Sequence, residues 1–258
     1  MRWLMLLFCL GLAACQPRPV KELPAVSASQ SVAELYRLER EHHALSALAD
    51  VTVTRQGKRW SVTQGVVIER PLRLRVDAIN FLGQTLFQMG IDGPLLQAYV
   101  PAEKKFYTGM ATLDNVQRFT GLPLALPDLV ACLLYSLPPG VVESAQIIET
   151  AQGVDLVLAP GVRYETVFSS GRLSGFRYRI DDLTLYEVAF GPVSAELDFP
   201  RRIELDVPQS DTRVVIALDD IELNPVLSRQ QFQLSLPATA EEVPLNEMEP
   251  VDDQTVEP

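Results

Sequence analysis

Histidine is almost missing from this chain of 258 residues, which carries only His42 and His43. They stand side by side, in no metal-ligand spacing and beside no serine or cysteine nucleophile motif, so a metal or catalytic role has no support from pattern. No GxSxG elbow, P-loop or dinucleotide fingerprint occurs either. The acid pairs Asp181-Asp182 and Asp219-Asp220 could be read as a carboxylate dyad for glycoside chemistry, but turn capping and solubility account for them more simply. Basic residues are also scarce: 22 Lys and Arg against 33 Asp and Glu leave a formal charge of -11. Nothing on that scale neutralises a phosphate backbone, which excludes nucleic acid as a partner, and Arg201-Arg202 is too short a cluster to change this. Long apolar runs are lacking as well. Residues 3–12 are too few to span a bilayer, and residues 122–137 are broken by Pro123, Pro127 and Asp128. What remains is 47% hydrophobic and 21% charged, enough for the core of one large domain or two small ones.

Cysteine is equally sparse, and its three positions are informative. Met1-Arg2 provides a short positive segment, residues 3–12 an apolar one, and Leu12-Ala13-Ala14-Cys15 closes it with small residues directly before a cysteine. This resembles a bacterial lipoprotein signal, which implies cleavage before Cys15 and lipid attachment to it. An ordinary secretory signal with an incidental Cys15 is the alternative. Gln16, rather than the aspartate of many inner-membrane lipoproteins, implies the outer membrane, facing the periplasm. Cys9 would then leave with the signal. Cys132 is left without an intramolecular partner, and its setting among Leu129, Val130, Leu133 and Leu134 predicts a buried structural thiol.

Pro17, Pro19 and Pro24 with several Ser and Ala make residues 16–30 a flexible tether. Ser31-Val-Ala-Glu34 has capping-box form, and Leu35, Leu38, Leu45 and Leu48 recur at helical spacing, predicting a helix over 31–48. From Val51 the period drops to two. Leu72, Leu74 and Val76 alternate with Arg73, Arg75 and Asp77, and Phe87, Met89 and Ile91 alternate with Gln88, Gly90 and Asp92. Between these strands lies Asn80-Phe81-Leu82-Gly83, a turn by its Asn and Gly but with two large apolar residues at its tip. Residues 111–119 and 127–136 read as two short helices, with Pro127 and Asp128 suited to a helix N-terminus. They predict an apolar lid or plug. Short strands then continue to about residue 223, Phe176, Tyr178 and Ile180 alternating with Arg177 and Arg179. About ten or eleven strands with three helices predict a mainly β barrel or sandwich. After Pro237 the chain is acidic, without Lys or Arg, and is expected to be disordered over 237–258. The domain is thus expected at 31–236.

The Asn80-Phe81-Leu82-Gly83 turn is followed by Phe119-Thr-Gly-Leu-Pro-Leu-Ala-Leu-Pro-Asp-Leu-Val-Ala-Cys-Leu-Leu-Tyr-Ser-Leu-Pro138, with a helix before and strands after. In that order the chain resembles LolB-type outer-membrane lipoprotein receptors and their periplasmic LolA relatives, over about residues 31–235. The resemblance implies an open, incomplete antiparallel barrel with a helical lid over a hydrophobic cavity. It also implies that Leu82, matching the protruding leucine of an Asn-Pro-Leu-Gly loop, helps to deliver lipoproteins into the membrane, with Phe81 beside it. Phe81 departs from the loop proline, and the acidic tail departs from the pattern altogether. Leu74, Val76, Phe87 and Met89 are candidate cavity residues and Leu129, Leu133 and Leu134 candidate lid residues, ordinary core packing being the competing reading of each. The implied partners are acylated lipoproteins or lipid, with a periplasmic LolA-like donor and no cofactor. A non-enzymatic, lipid-anchored module that binds an envelope protein or senses a lipid is the alternative.

Overall fold

The computed structural model describes residues 27–247. Cys15, the signal and most of the tether lie outside these residues, as does the end of the acidic tail.

The first helix, α1 (Ala28–Glu41), starts earlier than expected. Ser27 is the N-cap, in a reciprocal capping box with Gln30, which satisfies backbone donors the first turn leaves open. Ser31, expected to be that cap, is buried inside the helix. The helix also ends earlier, because Leu45 and Leu48 belong to a strand. Four antiparallel strands follow, β1 (Ala44–Arg55), β2 (Lys58–Glu69), β3 (Arg73–Ile79) and β4 (Thr85–Asp92). Next come β5 (Leu95–Val100) and β6 (Lys105–Met110), then α2 (Leu113–Thr120), α3 (Leu126–Leu133) and the single turn α4 (Val141–Ser144). The second run comprises β7 (Gln146–Glu149), β8 (Val154–Ala159), β9 (Val162–Ser169), β10 (Arg172–Ile180) and β11 (Leu183–Phe190). A small hairpin of β12 (Val193–Ser194) and β13 (Phe199–Pro200) precedes β14 (Arg202–Val207), β15 (Thr212–Leu223) and a final β16 (Glu241–Pro244).

Fourteen of these strands form one open sheet in the order β16-β6-β5-β4-β3-β2-β1-β15-β14-β11-β10-β9-β8-β7. The count exceeds the ten or eleven expected, since short edge strands carry too few residues to show a period. The sheet's long-range closure is β1 against β15, Val53 opposite Val214. Its inner face carries the four α-helices of the described residues and the core, and its outer face carries ion pairs. Arg73 and Asp92 meet at 3.1 Å, Arg75 and Asp77 at 2.7 Å, matching the alternation of apolar and charged residues in β3 and β4.

The two halves of the inner face are filled differently. Over β7 to β11 it is solid, with Tyr135 T-stacked on Phe190 at 4.8 Å and Phe176 set among Tyr164, Tyr186 and Phe190. Helix α1 is held there by Arg37, which bonds Glu34 at 2.7 Å and Asp198 at 2.5 Å, while Arg172 bonds the same two carboxylates. The half over β1 to β4 is not filled by side chains.

The acidic segment after Pro237 departs most from expectation. Rather than ending the domain, residues 241–244 add to β6 as its parallel neighbour, with Glu241 opposite Lys105 and Val243 opposite Tyr107. Backbone pairing and burial of Leu245 outweigh the local composition, which by itself argues against order.

Candidate ligand cavity

Strands β1 to β4 and β15 present one row of apolar side chains each to the inner face, and α2 and α3 lie across them. The enclosed space measures about 470 Å³, within the range of about 300–1,000 Å³ common for small-molecule sites. Among its lining residues only Gln64 and Thr120 are polar and none is charged. The Thr120 hydroxyl donates to the Val116 carbonyl at 2.9 Å within its own helix. The space therefore offers little to a polar ligand and much to a hydrocarbon chain, each buried CH₂ contributing roughly 0.8 kcal/mol.

Six of the seven residues singled out from sequence line this cavity: Leu74 and Val76 from β3, Phe87 and Met89 from β4, Leu129 and Leu133 from α3. Spacing of four residues puts Leu129 and Leu133 on one helix face. Leu134 is the exception. It is the C-cap residue of α3 and fully buried, but it packs into the core and does not line the cavity. Sequence reasoning missed a large share of the wall. Trp60, Val62, Val66 and Ile68 of β2 line it with Ala49 and Val53 of β1 and Val214 and Ile216 of β15. The alternation of 58–69 carried that signal for β2. The contribution of β15 needed the long-range pairing with β1.

The lid is held by both helices. Thr112 caps α2 through the Asn115 amide at 3.3 Å, and Gly121 ends it in the left-handed conformation at φ 70°. Phe119 stacks on Phe87 with ring centroids 6.0 Å apart, joining lid to wall. The other side of α3 is bound to the filled half. Tyr164 donates to Asp128 at 3.1 Å, and Tyr135 donates to the Leu173 carbonyl at 2.7 Å. Burial pushes the Asp128 carboxyl above its ordinary value and the Cys132 thiol well above its own. Cys132 is free and buried, the inert setting its neighbours in sequence suggested.

The Asn80–Gln84 loop joins β3 and β4 at one end of the wall. The Asn80 side chain accepts from the Leu82 and Gln84 amides, both at 2.9 Å, and Gly83 takes φ 76°, which a glycine adopts without steric cost. This bonding holds the backbone while the tip points outward, Phe81 95% and Leu82 68% exposed. Leu86 is 47% exposed and also lines the cavity, so the tip is continuous with the apolar wall.

Neither histidine lies at this site. His42 caps α1 and is only 2% exposed, its ring 5.3 Å from Phe199 and 5.9 Å from Tyr135. Among the described residues no group of three or more His, Cys, Asp or Glu side chains could hold a metal ion. Asp181 sits in a turn with φ 52°, and Asp220 lies within β15 with φ 49°, where the pairing with β1 shifts register.

The fold is LolA-like. A LolA-superfamily protein of Nitrosomonas europaea superposes with a TM-score of 0.54 at 13% identity, covering 81% of this chain and 99% of that one. A putative outer-membrane lipoprotein-sorting domain of Vibrio parahaemolyticus gives 0.50 at 11% identity, covering 80% and 97%. A DUF1329-family protein of Desulfovibrio piger gives 0.55 at 10% identity, again over 80% and 97%. No protein-family model and no curated protein sequence matches the chain. At these identities the likeness is one of architecture: an open sheet with helices over its inner face.

Proposed function

We propose that this protein is a carrier for acyl-bearing ligands, lipoproteins or lipid, that works at a membrane surface. One observation carries the reading: a cavity of about 470 Å³ with no charged residue in its wall runs into an exposed apolar loop. An acyl chain enters such a space because burial removes it from water, and it leaves when a bilayer offers a similar environment. Transfer then follows an affinity difference and calls for no cofactor or covalent step. Phe81 and Leu82 are the side chains that touch the bilayer. Cys15, outside the described residues, is the lipid attachment point, and the outer membrane facing the periplasm is the proposed location. A LolA-like periplasmic donor fits the direction of transfer.

The test is transfer of a fluorescent acylated peptide from the protein into liposomes, comparing the parent chain with Leu82→Glu. Because Leu82 is largely exposed, the variant should keep its thermal midpoint and its ligand loading. Transfer should fall by about tenfold or more, a charge being costly in hydrocarbon. Undiminished transfer by a folded, loaded variant would sink the role of the loop. The rival reading, a protein-binding module, has one observation in its favour. Edge strand β7 exposes Ile147 and Ile148, as strand addition by a partner chain requires. Purification with a stoichiometric protein and without lipid would favour it.

A further inference from the structure

Strand pairing brings the Asn80–Gln84 loop to the same end of the sheet as the β1–β2, β10–β11 and β14–β15 turns. Charge is divided unevenly along this rim. Over the filled half, the β10–β11 turn carries Asp181 and Asp182. Asp211 lies at the boundary, its carbonyl accepting from the Gln56 amide at 3.2 Å. Over the cavity half, the free end of the β1–β2 hairpin carries exposed Lys58 and Arg59, in a chain whose formal charge is -11. Among the described residues neither makes an ion pair, whereas Arg55 on the same hairpin is already engaged within the protein and takes no part. On the far side of the loop, Lys104 stands beside Glu103, and its carbonyl accepts from the Glu241 amide at 2.8 Å. That turn therefore adds no net positive charge.

Register places the cationic tip and the apolar loop on either side of the cavity mouth. Thr63 pairs with Ile79, so the loop leaves the sheet about level with Val62. Lys58 stands farther along β2 by roughly 13 Å, at about 3.3 Å per residue. Trp60 lies between those levels and lines the cavity. Along β2 the lining residues pass from buried Ile68 and Val66 to half-buried Gln64, Val62 and Trp60, so the cavity opens there. Gln56 and Gly57 close the hairpin with φ 48° and 77°, two successive left-handed residues as in a type I′ turn, which hold the cations in a tight turn.

We infer that the two tips form one docking edge for a bilayer surface rich in anionic phospholipid. Lys58 and Arg59 rest among headgroup phosphates while Phe81 and Leu82 enter the acyl region. The inference rests on the carrier reading and adds to it the chemistry of the membrane that the mouth meets. Attraction at the cationic tip and repulsion at Asp181 and Asp182 turn the molecule so that its cavity half, and not its filled half, faces lipid.

The test uses the full chain loaded with a fluorescent acylated peptide. It is mixed with vesicles of phosphatidylcholine alone or with about 30% phosphatidylglycerol, an anionic surface. Transfer should be about tenfold faster into the anionic vesicles, as two cations near such a surface imply. In about 1 M salt, where the screening length falls to about 3 Å, that advantage should vanish. Lys58→Glu with Arg59→Glu should lose the advantage and keep the parent rate into phosphatidylcholine, which also shows that the chain is folded and loaded. The neutral pair Lys58→Gln with Arg59→Gln should lose most of it. Arg40→Glu, an exposed change near the end of α1 and at the other end of the sheet, should keep it. Equal parent rates into both vesicles, or an advantage unchanged in the Lys58 and Arg59 pairs, would overturn the docking edge and leave the carrier reading standing. Equal loss with Arg40→Glu would overturn it in favour of general surface charge. Failure of the parent to transfer into either vesicle would defeat the carrier reading and this inference with it.

Discussion

His42 shows how much a single side chain depends on its surroundings. In sequence it is one of two adjacent histidines on a predicted helix; in the structure it is buried at the end of α1 against Tyr135 and Phe199, with Nδ1 unpartnered. Burial is the main cause that lowers its pKa from about 6.5 to about 4; Arg37 and Arg70 push the same way, while Asp198 and Glu41 oppose them. The unfolded chain therefore takes up the proton first as pH falls. Stability present above about pH 6.5 is lost on the way down through about pH 4, by on the order of 3 kcal/mol for a shift of this size. Thermal midpoints measured across that window should fall steeply in the parent and much less in His42→Phe, which keeps the ring contacts. Parallel curves for the two would show that His42 is not the titrating group. Leu82 is the opposite case. It is largely exposed, so a charged replacement should leave folding intact and act on the proposed transfer.

At the scale of elements, the C-terminal strap is the least expected feature. It crosses the outer face, where the Phe232 backbone lies against Gly90 and the Phe232 ring sits 5.8 Å from the Arg73 guanidinium. Arg229 and Gln233 both donate to Asp92, at 2.5 and 3.0 Å, and these bonds with Arg73 hold the Asp92 carboxyl below its ordinary value. The strap then pairs along β6 as β16 and seats Leu245 over Gly109. A β-carbon at Gly109 would come within 2.7 Å of the Leu245 β-carbon, too close for both to remain. Gly109→Val should therefore release the last strand while the rest of the sheet stays folded. Hydrogen exchange at residues 241–245 should rise by two orders of magnitude or more, as paired amides become open ones, with little change over β1 and β2. Protection unchanged at those residues would mean that the strap does not depend on this contact. The lid helices, by contrast, behave as their sequences suggest: Pro127 and Asp128 start α3 and Gly121 ends α2.

At the scale of the molecule, the inner face is half packed core and half enclosed space, and the carrier reading depends on that space staying open to ligand. Ala49 is buried on β1 and lines the cavity. Ala49→Phe directs a ring toward the cavity, whose volume offsets the crowding expected of a larger side chain in a packed core. The added buried surface contributes about 1.5–3 kcal/mol at most. The thermal midpoint should hold or rise, and lipid recovered with the purified protein should drop by about fivefold or more. A variant that carries lipid at the parent level would show that the ligand binds elsewhere.

Much of this was legible in the residues. Alternation in 72–76 and 87–91 marked strands and their inner faces, the apolar Asn80–Gly83 tip marked the exposed loop, and 119–138 marked a lid, because period, turn chemistry and helix caps are local. The misplaced features were those that local pattern does not control. Leu45 and Leu48 have helical spacing from Leu35 and Leu38 but pair with β15 and β2, since a partner strand outweighs a weak local preference. Leu134 sits among lid leucines, yet the turn it caps points it into the core.

The sequence by itself determined a mainly β domain with one apolar face per strand, a helical insert and an apolar turn at a strand end. Only the tertiary structure decided that the acidic segment becomes an edge strand of the open sheet and which strands wall the cavity. The physical reason is that patterning specifies which side of each strand avoids water. Whether that side meets another side chain or a void depends on volumes contributed by residues far apart in the chain.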